Sequence, residues 1–249
     1  MYLNTKGLVV RVTHYNDTDA ILSVLTPNHG KLSVKARGLR RKNSPLIGPC
    51  QLLAFAEFTL FEYKNFYTIN DAHSIELFAP LRKDLQKLSL GSYFAQAAET
   101  MSQEDMPNPE LLSLVLNCLY ALSKLDVPET LIKAVFELRS ACLSGYSPDL
   151  YGCRRCGCEY ADRFDLSEGC IECVGCRNPE SDGLRMPITP GVLDAMRYIC
   201  NCDSRKLFSF SVSEDTLTML AYITESYLST QLERGFTTLD FYKSLTLPL

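Results

Sequence analysis

The chain has 249 residues, of which 46% are hydrophobic and 22% are charged. These values are ordinary for a globular protein with a sizeable core, so they exclude intrinsic disorder and a coiled-coil rod. The net charge of -4 gives no overall sign of a nucleic-acid partner, and no apolar run approaches the 18 or so residues that a membrane span requires.

The charge is unevenly distributed along the chain. Residues 1–80 carry nine Lys and Arg against six Asp and Glu, whereas residues 81–249 carry 16 against 23. Six of those nine basic residues lie between Lys31 and Lys42, with no acidic residue among them. The sequence therefore predicts a local basic patch on an acidic protein. The first residues do not have the pattern of a secretion signal, so we expect a cytoplasmic protein.

The first 80 residues predict five short strands separated by turns. Their β-branched, partly alternating runs are 8–13, 20–26, 31–35, 51–63 and 66–70. The tetrapeptide at 27–30, Pro-Asn-His-Gly, has turn chemistry and predicts a hairpin between the second and third strands. Five strands in so short a span predict a small closed or nearly closed barrel.

After Pro80 the spacing of apolar residues becomes helical. Leu81, Leu85 and Leu88 recur at helical spacing and lead into a helix that continues to Met101. Further helix starts are predicted where an N-cap residue or a proline precedes an apolar stripe, at 108–110, 128, 189–190 and 213–215. The fold class predicted is α+β with more than one domain, a barrel over 1–79 and a mostly helical domain over 80–249.

Four cysteines form the pattern C-x2-C-x16-C-x2-C. They are Cys153, Cys156, Cys173 and Cys176. Two such pairs can hold four thiolates tetrahedrally around one Zn²⁺ at about 2.3 Å. Gly157 and Gly175 suit the unusual backbone of such corners. Because four thiolates leave no open coordination position, we expect a structural zinc module, placed at 150–187.

Two further cysteines leave the ligand assignment open. Cys170 forms a second C-x2-C pair with Cys173, and Cys158 could replace Cys156. The spacing alone favours Cys173 and Cys176 for the second pair.

Five basic residues occupy eight positions after the third strand. They are Lys35, Arg37, Arg40, Arg41 and Lys42. We expect a mobile, exposed loop, and a basic loop beside a small barrel is typical of a binding groove for single-stranded nucleic acid. Tyr15, Phe66 and Tyr67 are the candidates for stacking on bases, although an aromatic residue at such a position is more often part of the core or the rim. The alternative is a basic loop that serves only solubility.

Motifs for several enzyme classes are absent from the sequence. It contains no P-loop, no dinucleotide-binding glycine motif, no H-E-x-x-H and no G-x-S-x-G. We therefore expect a protein that is not an enzyme.

The order of these parts resembles the RecO family of bacterial recombination mediators and DNA repair proteins. The resemblance rests on the strand GLVV at 7–10, the basic loop, and the segments FEL at 136–138, GYSPDL at 145–150 and FDLSEG at 164–169, with the cysteine pairs. Where the family usually has a second glycine after FDLSEG, this chain has Cys170.

The resemblance implies an OB-fold barrel, a helical domain and a zinc module set within it. It also implies binding to single- and double-stranded DNA, annealing of complementary strands, and loading of RecA onto DNA coated by single-stranded DNA-binding protein. The partners implied are RecR and that coating protein, in the cytoplasm at the nucleoid. Two other functions stay open: a zinc-stabilised adaptor between proteins that does not bind DNA, and a metal-dependent nuclease.

Overall fold

The computed structural model describes residues 1–64, 66–176 and 184–246. The chain forms two compact units, one of Met1–Leu125 with the segment that starts at Phe236, the other of Asp126–Gly235. The predicted division at residue 80 is a different boundary and stays a prediction. Residues 177–183 of the predicted zinc module lie outside the described residues.

Five strands close into a barrel, as the sequence predicts. They are β1 Tyr2–His14, β2 Ala20–Thr26, β3 Gly30–Ala36, β4 Phe55–Tyr63 and β5 Phe66–Glu76. Around the barrel the order is β1-β2-β3-β5-β4, and β4 returns to β1. The pair β3 and β5 is parallel, and the other neighbours are antiparallel. This is the five-stranded Greek-key barrel of the OB-fold.

Alternation along each strand fills the barrel with apolar side chains. The inward residues include Leu22, Val24, Val34, Phe58 and Leu60, each 2% exposed or less. Burying a side chain of this size contributes about 1.5–3 kcal/mol, so the alternation both fixes the register and stabilises the barrel.

The fourth strand is shorter than the sequence predicts. The segment 51–54 turns instead of extending, and Leu53 has a φ of 64°. The amide of Leu53 donates to the carbonyl of Val9, and the amide of Val9 donates to the carbonyl of Ala54. This turn uses the backbone groups of β1 beside the irregularity between Val9 and Arg11.

Six helices complete the described part of the chain. They are α1 Leu85–Met101, α2 Pro109–Lys124, α3 Glu129–Leu143, α4 Pro190–Asn201, α5 Glu214–Gln231 and α6 Thr237–Thr246. Asn108, Thr189 and Ser213 cap α2, α4 and α5 as the sequence predicts, each accepting a hydrogen bond from the backbone amide three residues later, in the first turn of the helix. Within the described residues, none of the helices combines the length and the apolarity needed to cross a membrane.

In the unit Asp126–Gly235, α3, α4 and α5 pack on one another, and a small three-stranded sheet contacts α5. Its strands are β6 Arg163–Asp165, β7 Cys170–Glu172 and β8 Arg185–Pro187, in the order β7-β6-β8. Tyr227 of α5 meets the ring of Phe164 edge-on, with centroids 5.2 Å apart. Its hydroxyl donates to the carbonyl of Tyr146 at 3.0 Å. Tyr227 thus connects the sheet, which adjoins the cysteine pairs, to α5.

Candidate nucleic-acid interface and metal centre

Four cysteine sulfurs meet at one end of the small sheet. The Sγ atoms of Cys153, Cys156, Cys173 and Cys176 all lie within 4.8 Å of one another, and those of Cys156 and Cys173 are 3.6 Å apart. Sulfurs at about 2.3 Å from a tetrahedral Zn²⁺ are about 3.8 Å apart. The four thiols therefore have the number, the chemistry and the spacing that one zinc ion requires.

The two cysteine pairs turn by different backbone geometry. After the first pair, Gly157 has a φ of 73°, and its amide donates to the carbonyl of Cys153 at 2.8 Å. The second pair closes with a 3-10 turn over Val174–Cys176. A 3-10 turn is a right-handed conformation open to any residue, so the unusual backbone expected at both glycines is present at Gly157 and absent at Gly175.

Backbone amides around Cys153 favour its thiolate. Burial opposes ionisation of this thiol, but the N–H groups of Cys156, Cys173 and Arg155 interact with its sulfur and lower its pKa to about 6. Because the thiolate is the metal-binding form of cysteine, these amides prepare the site for a cation.

The two competing cysteines have other neighbours. Cys170 lies in β7, where it is 4% exposed, and its Sγ is 4.0 Å from Nη1 of Arg154. The Sγ of Cys158 contacts the carbonyl of Tyr160 at 3.7 Å. The structure thus brings together the four cysteines that the spacing favours, and it surrounds Cys158 and Cys170 with other groups.

An ionic cluster ties the strands beneath the cysteines. Nε of Arg185 on β8 lies 2.8 Å from a carboxylate oxygen of Glu172 and 3.4 Å from one of Asp165. Both carboxylates are 5% exposed or less. Since Glu172 precedes Cys173, this cluster positions the second cysteine pair.

The basic loop presents most of its charges to solvent. Arg37, Arg40, Arg41 and Lys42 are exposed, and Lys35, at the end of β3, is half-buried. Exposed guanidinium and ammonium groups on one short segment can contact several phosphates of one nucleic-acid backbone.

The loop is a succession of turns. The amide of Arg41 donates to the carbonyl of Gly38 at 3.1 Å, and that of Ser44 donates to the carbonyl of Arg41 at 3.0 Å. Gly38 has a φ of 67°, and Leu39 packs into the barrel core. The apolar Leu39 holds the loop down while the basic residues on either side face outward.

Asp19, in the turn before β2, anchors the loop. The sequence alone does not predict this role. One carboxylate oxygen accepts a hydrogen bond from the amide of Gly38 at 2.9 Å, and the other lies 3.3 Å from Nζ of Lys35. The Gly38 amide is the main reason that the pKa of Asp19 is lowered to about 2, with help from Lys35 and the polar turn around it. No spacing rule connects residue 19 to residue 38, because only the barrel brings them together.

Comparison with known proteins identifies the family to which this fold and these residues belong. A family model described as Recombination protein O N terminal matches residues 1–78, and one described as Recombination protein O C terminal matches residues 82–240. This chain belongs to the RecO family.

Relatives named DNA repair protein RecO match this chain over nearly its full length. The relative from Acetivibrio thermocellus is 36% identical over 246 residues, which cover 98% of this chain and 97% of the relative. Those from Alkaliphilus metalliredigens and Caldicellulosiruptor saccharolyticus are 28% and 27% identical, covering 98% and 97% of this chain and 100% and 98% of the relatives.

The segments that carried the resemblance to RecO have identifiable structural roles. Asp165 accepts hydrogen bonds from the amides of Ser167 and Glu168, at 2.9 and 3.0 Å, and so shapes the FDLSEG turn. A Cβ on Gly169, which has a φ of 62°, would lie 2.5 Å from the hydroxyl of Tyr227. Only glycine fits between this turn and α5.

Glu137, in the FEL segment of this RecO-family chain, is fully buried. Its carboxylate lies 2.9 Å from Nζ of Lys133 and accepts a hydrogen bond from the hydroxyl of Thr224 at 3.0 Å. Lys133 also pairs with Glu225 of α5 at 2.7 Å. The polar cluster joins α3 to α5, and each buried charge in it has a partner of opposite charge.

The three aromatic residues predicted to stack differ in their surroundings. Tyr15 and Phe66 are 60% and 77% exposed, whereas Tyr67 packs against the barrel core. The ring of Tyr15 lies beneath Nζ of Lys35, 4.7 Å from its centroid. In this RecO-family barrel, Tyr15 and Phe66 are therefore available to a ligand and Tyr67 is part of the rim.

A groove of about 440 Å³ separates the basic loop from β5. Its lining includes Arg37 and Arg41 of the loop, Asn43, and Asn70 and Asp71 of β5. The two guanidinium groups of this lining can pair with a phosphate, and the side-chain amides can donate to a sugar or base, whereas the Asp71 carboxylate repels an anion.

Proposed function

We propose that this RecO-family chain is a non-enzymatic mediator that binds single- and double-stranded DNA through its barrel and anneals complementary strands. The observation that carries the proposal is the basic loop, whose charges emerge from turns anchored on an OB-fold barrel. Lys35, Arg37, Arg40, Arg41 and Lys42 are assigned to phosphate contacts.

The physical requirements of annealing match this surface. Two complementary strands repel one another through their phosphates, and a basic surface that contacts both lowers the repulsion without any covalent step. Phosphate contacts carry no sequence information, which suits a protein that must act on any pair of strands.

We assign Zn²⁺ to Cys153, Cys156, Cys173 and Cys176. The distances among their sulfurs and the amides around Cys153 support this assignment. Because four thiolates complete the shell and leave no position for an activated water, the ion has a structural role. It would hold together a segment whose described strands are only three residues long.

Membership of the RecO family supports a place in DNA repair, and the partners proposed follow from it. They are RecR, single-stranded DNA-binding protein on the DNA to be annealed, and RecA, whose loading the chain would assist indirectly. A DNA substrate of this kind would place the protein in the cytoplasm at the nucleoid.

Fluorescence anisotropy of a labelled single-stranded oligonucleotide tests the DNA proposal. With four or five phosphate contacts, log K should fall against log salt with a slope of about -3, at about -0.7 per phosphate. Arg40→Glu with Arg41→Glu should reduce both the affinity and the slope. Arg205→Glu with Lys206→Glu, which alters two exposed residues of the other unit by the same charge, is the matched control.

Replacing Arg40 removes a hydrogen bond as well as a charge, because Arg40 donates to the carbonyl of Asn16 at 3.1 Å. A second charge reversal therefore tests the loop at other positions. Arg37→Glu with Lys42→Glu should weaken binding in the same way, and circular dichroism should be unchanged. Equal affinity of folded loop variants and wild type would refute the phosphate assignment. Absence of binding at low salt would favour the zinc-stabilised adaptor.

A further inference from the structure

Four aromatic side chains are exposed together on the outer surface of the barrel. Tyr2, Phe61, Tyr63 and Phe66, called here the aromatic band, are 61%, 42%, 62% and 77% exposed. An exposed group of large rings on a monomeric protein marks a contact surface, because isolated apolar residues are common but clusters of them are costly to leave in water.

The strand register places all four rings on the same face. Tyr2 on β1 is paired with Phe61 on β4, and Tyr63 on β4 is paired with Phe66 on β5. Directly paired residues point to the same side of a sheet, as do residues two apart on a strand. Leu60, adjacent to Phe61, points into the core. The rings of Tyr2 and Phe61 are 5.5 Å apart and inclined at 61°.

The aromatic band is continuous with the basic loop. Lys35, the first basic residue of the loop, is paired with Thr68 on β5, and Thr68 is paired with Phe61. Lys35, Thr68, Phe61 and Tyr2 therefore form one row on the outer surface. The row covers three interstrand spacings, or about 14 Å at about 4.8 Å each.

Cations lie at both ends of this surface. Lys64, at the hairpin between β4 and β5, has its Nζ 5.4 Å from the centre of the Tyr63 ring. At the other end, Nζ of Lys35 is 4.7 Å from the centre of the exposed Tyr15 ring. Flat rings flanked by cations complement a ligand that carries both flat rings and anions, and single-stranded nucleic acid is such a ligand.

We propose that the aromatic band is a stacking platform for the bases of single-stranded DNA whose phosphates lie on the basic loop. This inference rests on the proposed function and adds a source of selectivity to it. The basic loop can contact phosphates of single strands and duplexes alike. Bases in a duplex are already stacked and paired, so only a single strand can use the rings. The band gives the chain its preference for single-stranded DNA.

Removing rings should therefore weaken binding to one DNA form only. The band variant is the double substitution Phe61→Ala and Phe66→Ala. Its control is the double substitution Tyr120→Ala and Tyr222→Ala, which removes two exposed rings outside the barrel. The probes are oligo(dT), a duplex of the same length, and a single strand of that length with abasic sites. Each stacked base is worth about 5- to 150-fold in affinity. We expect the band variant to lose at least about tenfold for oligo(dT) and less than about twofold for the other two probes.

Two further measurements distinguish the loss of the rings from a folding defect of the variant. Phe61→Tyr with Phe66→Tyr keeps the rings and should restore the affinity for oligo(dT). The wild-type chain should itself bind the abasic strand more weakly than oligo(dT), by about the factor that the alanine variant loses. When the alanine variant binds the abasic strand, its loss of affinity should be no larger than the loss caused by removing the rings alone or the bases alone.

Three outcomes would overturn the inference. If the band variant keeps its affinity for oligo(dT) while binding still depends on the basic loop, the inference is overturned and the proposed function is not. The aromatic band would then be a protein-docking surface. Equal loss for the duplex and the single strand would also overturn the inference. If the wild-type chain binds none of the probes, both the proposed function and this inference fail.

Discussion

Asp19 sets the shape of a basic surface although it is itself acidic. Its two carboxylate oxygens reach the Gly38 amide at one side and Lys35 at the other. The carboxylate thereby forms an ion pair with the basic residue nearest the barrel, while those farther along the loop face solvent. A side chain of a different turn thus helps to hold the loop in position.

The lowered pKa of Asp19 gives this anchor a defined pH range. An aspartate outside such a network ionises near pH 3.9, whereas Asp19 has a pKa of about 2. Because the folded-state value is the lower one, the stabilisation is fully present above about pH 4 and is lost as the pH falls through about 2. The Gly38 amide proton should follow this titration in NMR spectra, with a midpoint near 2.

Replacing Asp19 should free the loop without disturbing the barrel. In Asp19→Asn, we expect faster hydrogen exchange at the Gly38 amide and unchanged exchange at Val24 and Val34, which lie within paired strands. Asp17→Asn, an exposed acid of the same turn, is the control. Equal exchange at Gly38 in both variants would show that the carboxylate does not anchor the loop.

At the level of elements, local sequence signals predict individual helices and strands but not how they meet. The N-caps of α2, α4 and α5 and the β2–β3 hairpin follow from residues close together in the chain, so the sequence was sufficient for them. The turn at 51–54 was not predictable, because it depends on hydrogen bonds with β1. The choice among six clustered cysteines likewise needed β7, which buries Cys170 beside Arg154.

The cysteine cluster makes a clear prediction about metal content. Cys153→Ser with Cys156→Ser should contain no zinc and lose stability in the unit Asp126–Gly235, since structural zinc contributes about 10–16 kcal/mol in small modules. Cys158→Ser with Cys170→Ser should retain one ion per chain. A colorimetric assay on protein that has been unfolded and thiol-modified measures the zinc content of both variants.

The zinc assay also discriminates between the alternative ligand sets. Stoichiometric zinc in the first variant, or its loss from the second, would contradict the assignment. Because thiols must lose their protons to bind the ion, zinc should also be released as the pH is lowered.

For the whole molecule, long sequence separations limit what the pattern of residues can predict. The closed barrel was predictable from five strands in 80 residues. The return of α6 to the unit that contains the barrel was not, because Phe236 packs on Tyr93 of α1, with ring centroids 5.4 Å apart, across more than half the chain. The aromatic band also needed the register, since its rings come from three strands and each looks unremarkable in sequence.

Strand annealing by this chain is measured most simply with two complementary oligonucleotides, one labelled with a donor dye and one with an acceptor dye. We predict that the wild-type chain accelerates annealing and that added salt suppresses the acceleration. The reversal of Arg40 and Arg41 should abolish the effect, while the reversal of Arg205 and Lys206 should not. An unchanged annealing rate with wild-type protein bound to DNA, or full acceleration by the folded loop variant, would contradict the proposed function.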